Sequence, residues 1–95
     1  MERIALARRA VEDLRRIGPG AELRRMRRSL EALATDAQDL DVKLLADRTP
    51  WMRLRVGDYR VLYRPVTSDE PSEASYLVAR VVHRGDLERA VDTLE

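Results

Sequence analysis

Cysteine and phenylalanine are both absent, and of eighteen basic residues only Lys43 is a lysine. Without cysteine there can be no disulfide, thiolate nucleophile or Cys-ligated metal, which fits a reducing cytosol and a cytoplasmic protein. Without phenylalanine the core must come from Leu, Val and Ala, with aromatics few and individually placed. His83 is the sole histidine, so no His/Asp/Glu spacing suggests a metal site. No glycine-rich phosphate loop occurs either, and the chain calls for no cofactor. No apolar run approaches the length of a membrane span, and the N-terminus lacks the apolar stretch of a signal peptide. The near-exclusive use of arginine reflects genome composition as readily as function, so arginine content alone identifies nothing.

What is present is a balanced chain of 95 residues, 44% hydrophobic, with a net charge of +1. That length makes one domain spanning residues 1–95, able to bury a little over ~60% of the surface its unfolded form exposes. It contains neither repeats nor a domain linker. Charge is unevenly spread. Residues 1–30 carry nine basic and four acidic groups, net +5, and residues 31–50 two and five, net −3. Residues 51–66 carry four and one, net +3, and residues 67–95 three and seven, net −4. The low total argues against strong non-specific nucleic-acid binding but leaves local basic patches open.

The most informative stretch is residues 51–64, Trp-Met-Arg-Leu-Arg-Val-Gly-Asp-Tyr-Arg-Val-Leu-Tyr-Arg. Gly57-Asp58 reads as a two-residue hairpin loop, with apolar/polar alternation running away on both sides. That turn predicts Val56 opposite Tyr59, Arg55 opposite Arg60, Leu54 opposite Val61, Arg53 opposite Leu62, Met52 opposite Tyr63 and Trp51 opposite Arg64. One face is then Met52, Leu54, Val56, Tyr59, Val61 and Tyr63, a core. The other carries Trp51, Arg53, Arg55, Arg60, Leu62 and Arg64. Arginine opposite arginine is mildly destabilising unless an anion lies between them.

Around the hairpin, Glu2–Leu6 is either a short strand or the start of a helix. Arg8–Ile17 is helical, with Val11, Leu14 and Ile17 as its apolar face, and Gly18-Pro19-Gly20 breaks it. A second helix over Ala21–Ala34 has Leu23, Met26, Leu30 and Leu33 as its stripe, making an αα-hairpin. Its Arg24-Arg25-Met26-Arg27-Arg28 run reads as a solvated face or an rRNA contact. In residues 35–50, Val42, Leu44 and Leu45 are expected to tuck against the helices. Thr67–Ser75 is an acidic loop. Tyr76–His83 alternates, and with Leu77, Ala79 and Val81 facing the core, Arg80 and Arg84 join the arginine face. Asp86 is a candidate N-cap for a last helix that buries Leu87, Ala90, Val91 and Leu94. The expected fold is α+β, a helical hairpin on a mostly antiparallel twisted sheet of three to four strands, plus a short C-terminal helix.

The hairpin Arg-Leu-Arg-Val-Gly-Asp-Tyr-Arg-Val-Leu-Tyr, followed by a strand ending in His83-Arg84, resembles the RelE/ParE superfamily of bacterial type II toxin–antitoxin systems. The order of elements agrees over nearly the whole chain. The resemblance to the RelE-like branch implies a ribosome-dependent mRNA endoribonuclease that inhibits translation. The ParE-like alternative shares the fold and poisons DNA gyrase, and a catalytically impaired binding protein is a further variant. Either implies a cognate antitoxin, as an acidic or amphipathic stretch that covers the arginine face or displaces the terminal helix. Carried over by position, Arg53, Arg60 and Arg84 match basic active-site residues, and Arg55 is a further basic position of the signature. RelE-type nucleases usually place a tyrosine shortly after the last arginine. Here the segment reads Gly85-Asp86-Leu87-Glu88-Arg89-Ala90.

The implied chemistry is metal-free transesterification, in which an RNA 2′-hydroxyl attacks the adjacent phosphate. Arginine suits the stabilisation of charge on the phosphorane, being planar, always charged and bidentate. His83 is the only side chain with an ordinary pKa near neutrality, hence the candidate general base or acid. Alternation sends it to the core face unless the strand ends before it. Trp51 could stack on a base, and Arg55, Arg64 and Arg80 complete the expected RNA-binding set. The bland alternatives are a solvated sheet face, a structural histidine at a strand end and a tryptophan at the sheet edge.

Overall fold

Gly57 adopts φ +57°, whereas Asp58 is not among the residues with positive φ. This is the pattern of a two-residue turn with glycine at its first position, whose twist suits a hairpin. The strands it joins are β3 (Met52–Val56) and β4 (Tyr59–Pro65). Their pairing runs from Val56↔Tyr59 through Arg55↔Arg60 to Met52↔Tyr63, the register expected from the alternation. A computed structural model describes residues 3–66 and 75–94. The acidic loop expected at Thr67–Ser75 therefore lies outside the described residues, Ser75 excepted.

Three more strands complete a five-stranded sheet, one more than the upper expectation: β1 (Ile4–Leu6), β2 (Val42–Leu44) and β5 (Tyr76–His83), in the order β1-β5-β4-β3-β2. β1 runs parallel to β5, and the remaining pairs are antiparallel. The strand alternative for the N-terminal segment is thus the one realised. β2 pairs with β3 through Val42↔Leu54 and Leu44↔Met52. Its segment was expected to tuck wholly against the helices. Val42 does pack on the core, but Leu44 stays 61% exposed at the sheet's edge.

Helices α1 (Arg8–Ile17) and α2 (Ala21–Ala34) cover one face, with the boundaries read from sequence. Met26, Leu30 and Leu33 of α2 meet Leu54, Val56, Val61, Tyr63, Val78 and Val81 in the main core. α1 differs from expectation. Its buried residues are Ala10 and Asp13, while Leu14 and Ile17 pack at the core's margin. Ala10 is fully buried, and its small side chain lets the helix lie close to β5. Asp13 is buried because its carboxylate is fully engaged. It accepts the Val81 backbone N–H at 2.9 Å and is gripped by Arg80 through Nε at 2.8 Å and Nη2 at 3.2 Å. It thereby caps a strand edge that β1 is too short to cover.

β5 departs from simple alternation. A register shift between Leu62 and Tyr63 pairs Leu62 with Arg80 and Tyr63 with Val78, leaving Ala79 unopposed. The bulge turns Val78 and Val81 both to the main core, whereas the expected inward set was Leu77, Ala79 and Val81. Ala79 goes to a second, smaller core on the opposite face, formed by Trp51, Leu62, Val82, Ala90 and Leu94. A 3₁₀ turn (Arg84–Asp86) leads into α3 (Leu87–Val91), which closes that second core. Asp86 was the expected cap. Instead His83 Nδ1 accepts the Gly85 N–H at 3.2 Å, and Asp86 makes no side-chain capping bond. The sheet is thus apolar on both faces, except at the turn end of the hairpin.

Removing Asp13 leaves a buried guanidinium and a buried N–H without their partner. Asp13→Ala is expected to lose about 3–5 kcal/mol of stability in urea unfolding. The double variant Asp13→Ala, Arg80→Met should recover most of that loss. Equal instability of single and double variants would show that the ion pair is not what matters there.

Candidate phosphate-binding site

The open end of the second face gathers four guanidinium groups. Arg53 and Arg55 leave β3 on the same side, and Arg60 stands directly opposite Arg55 on β4. Arg84 joins from the end of β5, its backbone N–H bonded to Asp58 O at 2.7 Å. The Arg60 guanidinium is held below its ordinary pKa by burial first, then by the positive charges of Arg55, Arg53 and Arg84. Each of those three therefore lies within electrostatic range of Arg60. Its Nη1 donates to the carbonyls of Gly57 and Tyr59, both at 2.9 Å, so the side chain is folded back over the turn.

Carboxylates flank the group without filling it. Asp41, one residue before β2, lies 3.6 Å from Arg53 and 4.0 Å from Arg55. Its backbone carbonyl accepts the Arg55 N–H at 2.9 Å, which fixes it beside the pair. Asp58 lies 3.7 Å from Arg84. Arg60 has no acidic partner within ion-pair distance among the described residues. Sequence reasoning missed Asp41, because the only signal for its position was the register of β2, a strand it had taken for loop. It also missed the approach of Arg25 from α2. A Cβ at Gly57 would come within 2.9 Å of Arg25 Nη1, the far end of a flexible side chain that can move aside, so it is the φ of +57° that calls for glycine at the turn.

The other expected site residues are placed differently. Trp51 is 6% exposed within the second core, with Arg64 5.7 Å over its ring, so packing beneath α3 excludes it as a base-stacking platform. Arg80 stands opposite Leu62, on the arginine side of the sheet as expected, but its guanidinium is committed to the Asp13 carboxylate of α1 and does not join the open arginine group. His83 is opposite Tyr59, its ring meeting the tyrosine edge-on at 5.8 Å. Cross-strand partners share a face, so His83 lies on the helix side, opposite to Arg60. There it borders a cleft of about 390 Å³ shared with Tyr59, Arg16, Asp86 and Arg89. With Nδ1 accepting from Gly85, the neutral imidazole carries its proton on Nε2. The Tyr59 phenol is pushed above its ordinary pKa by burial, then by Glu22 and Asp58, and supplies no base near neutrality.

A set of fixed, crowded guanidinium groups without a carboxylate at its centre is an anion site. A phosphodiester offers oxygens that planar forks can grip in bidentate fashion. Among the described residues no group of three or more His, Asp or Glu side chains could hold a metal ion. No helix there is long and apolar enough to cross a membrane.

The family model for the ParE toxin of type II toxin–antitoxin systems matches residues 4–88, and the chain belongs to that family, within the RelE/ParE superfamily. Two solved structures are similar. The RelB–RelE antitoxin–toxin complex from Methanococcus jannaschii gives a TM-score of 0.69 at 25% identity, covering 90% of this chain and 96% of that one. The archaeal RelE–RelB complex from Pyrococcus horikoshii OT3 gives 0.58 at 26% identity, covering 90% and 98%. No curated protein matches the sequence significantly. The protein is a type II toxin, RelE-like by its structural neighbours.

Like charges held opposite one another cost stability. Arg55→Gln is expected to raise it by about 0.2–1 kcal/mol at low ionic strength, with the gain shrinking in high salt. The same substitution should weaken binding of a single-stranded oligonucleotide. Paired urea titrations at two salt concentrations check the first point. A loss of stability would mean that Arg55 is chiefly structural.

Proposed function

We propose that this toxin is a RelE-like endoribonuclease that cuts mRNA on the ribosome, with the scissile phosphate held by Arg53, Arg55, Arg60 and Arg84. The observation that carries this reading is the crowding of three guanidinium charges around Arg60, which has no acidic ion-pair partner among the described residues. In the reaction the 2′-oxygen forms a bond to phosphorus while the bond from phosphorus to the 5′-oxygen breaks. The products are a 2′,3′-cyclic phosphate and a 5′-hydroxyl, and the proton lost from the 2′-hydroxyl ends on the departing 5′-oxygen. The arginines stabilise the added negative charge on the phosphorane, for which their preorganisation is the main requirement. Among the described residues no histidine lies on their face, and on this reading solvent carries the proton. A cognate antitoxin is the expected partner, in keeping with the RelB-bound state of both structural neighbours.

Inducible expression in a bacterial host tests this reading. Growth arrest and new 5′ ends on translated messages, mapped by primer extension, are expected, and Arg60→Ala should abolish both. Removal of one preorganised charge donor of this kind costs about 10²–10³ in rate. Two observations favour a second reading, gyrase inhibition: the match to the ParE model and, among the described residues, the placing of the one histidine on the face opposite the arginines. Growth arrest without new 5′ ends, together with loss of supercoiling by purified gyrase, would replace the first reading with the second.

A further inference from the structure

Among the described residues, Asp41 is the one acidic side chain that bridges two members of the arginine group. Its Oδ1 lies 3.6 Å from Arg53 Nη2 and its Oδ2 4.0 Å from Arg55 Nη1. The two carboxylate oxygens thus span two guanidinium forks, much as two oxygens of a phosphodiester would. Three features make this an exchangeable contact. Both distances are long for a charge-assisted hydrogen bond, which typically measures ~2.7–2.9 Å. The Asp41 side chain is 50% exposed. Its position is held by the backbone bond from Arg55 N–H, which survives if the side chain swings away. Arg53, by contrast, is only 12% exposed, so that guanidinium stays enclosed when the carboxylate leaves, while Arg55, at 58%, is open to the incoming ligand.

We propose that Asp41 is a built-in substitute for the ligand's phosphate, displaced from Arg53 and Arg55 on nucleic-acid binding, and that it sets the affinity of the site. The inference rests on the phosphate-binding reading above and assigns that site an affinity-limiting residue. In the free protein the carboxylate neutralises part of the cluster and relieves its self-repulsion. On binding, an incoming phosphate must break two weak ion pairs before it makes two stronger ones. A single small anion gains little from that exchange. A chain of phosphates also engages Arg60 and Arg84, and so the site prefers a polynucleotide to free phosphate.

The sign of one substitution decides the matter. Binding of a fluorescein-labelled, 2′-O-methylated single-stranded RNA, which cannot undergo the 2′-hydroxyl reaction, is measured by anisotropy over a range of salt concentrations. Exposed ion pairs of this kind are individually weak, so Asp41→Asn is expected to tighten binding roughly two- to tenfold. It should also steepen the log–log salt dependence by up to ~0.7, the slope of about one additional phosphate contact on a single strand. Asp39→Asn removes an exposed charge two residues away that makes no ion pair among the described residues, and should change affinity less. Arg60→Ala should abolish binding. Side-chain ¹⁵N–¹H signals of Arg53 and Arg55 in the wild-type protein should shift when RNA is added, and thermal melts check that each variant folds. Weaker binding by Asp41→Asn would make Asp41 a positioning residue and overturn the proposal. So would a gain no larger than that of Asp39→Asn, or arginine signals that do not move. Absence of binding by wild type and variants alike would instead defeat the phosphate-binding reading, and this inference with it.

Discussion

A thin sheet that must bury both of its faces leaves little room for charge, and that constraint decides where this toxin can act. The two-residue turn at Gly57 fixes the register of β3 and β4, and strand alternation then divides their side chains into two sets. One set is wholly apolar and lies under α1 and α2. The other set changes character along its length. Trp51 and Leu62 are covered by α3 and the residues after it, Arg53 opposite Leu62 is largely enclosed at the margin of that cover, and Arg55, nearer the turn, is open. The cationic patch is the stretch of sheet that the short C-terminal helix does not reach. Its location follows from the length of α3 as much as from the placing of the arginines.

Crowded cations cost free energy, and the structure shows how that cost is contained. Arg60, the most central, donates to two backbone carbonyls. Arg53 and Arg55 share Asp41, and Arg84 has Asp58. Each counter-anion is at least half exposed, so none resembles the buried lock that Asp13 forms with Arg80. The two kinds of ion pair do different work. The buried one holds α1 against the unprotected edge of β5. The exposed ones hold guanidinium groups in place while remaining weak enough to be exchanged, since solvent and salt screen them.

The hairpin was legible in the sequence because its information is local. A glycine at the one position needing positive φ and strict alternation on both sides suffice to fix every cross-strand pair. The helix boundaries and most of the α2 stripe were legible for the same reason, since helical period and breakers are short-range signals. What escaped depends on contacts between distant segments. The bulge at Ala79 leaves no mark in an alternating string, yet it moves Val78 into the main core in place of Leu77. A buried Asp13 looks like any other charge on a helix until the unpaired Val81 N–H beside it is known. Trp51, read as a base-stacking residue or as packing at the sheet edge, is buried because a helix some forty residues later covers it. Asp41 became visible only once β2 was known to be a strand in register with β3.

The division of the sheet also separates two kinds of chemistry. The stabilising charges lie on one face, while His83 lies on the other with one nitrogen engaged by Gly85 and its ring against Tyr59. A positioned acid or base is typically worth 10²–10⁴ in rate, and preorganised charge acting alone in a site can match that contribution. A protein arranged this way gives up the first and keeps the second. On the nuclease reading, cleavage of RNA then depends on how well the substrate's own 2′-hydroxyl is aligned. The arginines of one small chain can grip the phosphate, but they cannot orient the ribose on both sides of it, and a ribosome holding the message in a defined conformation can. The same patch without that alignment still binds a phosphate or an acidic protein surface. Nuclease and gyrase-poison readings of this fold therefore share one cationic face and differ in what the partner brings to it.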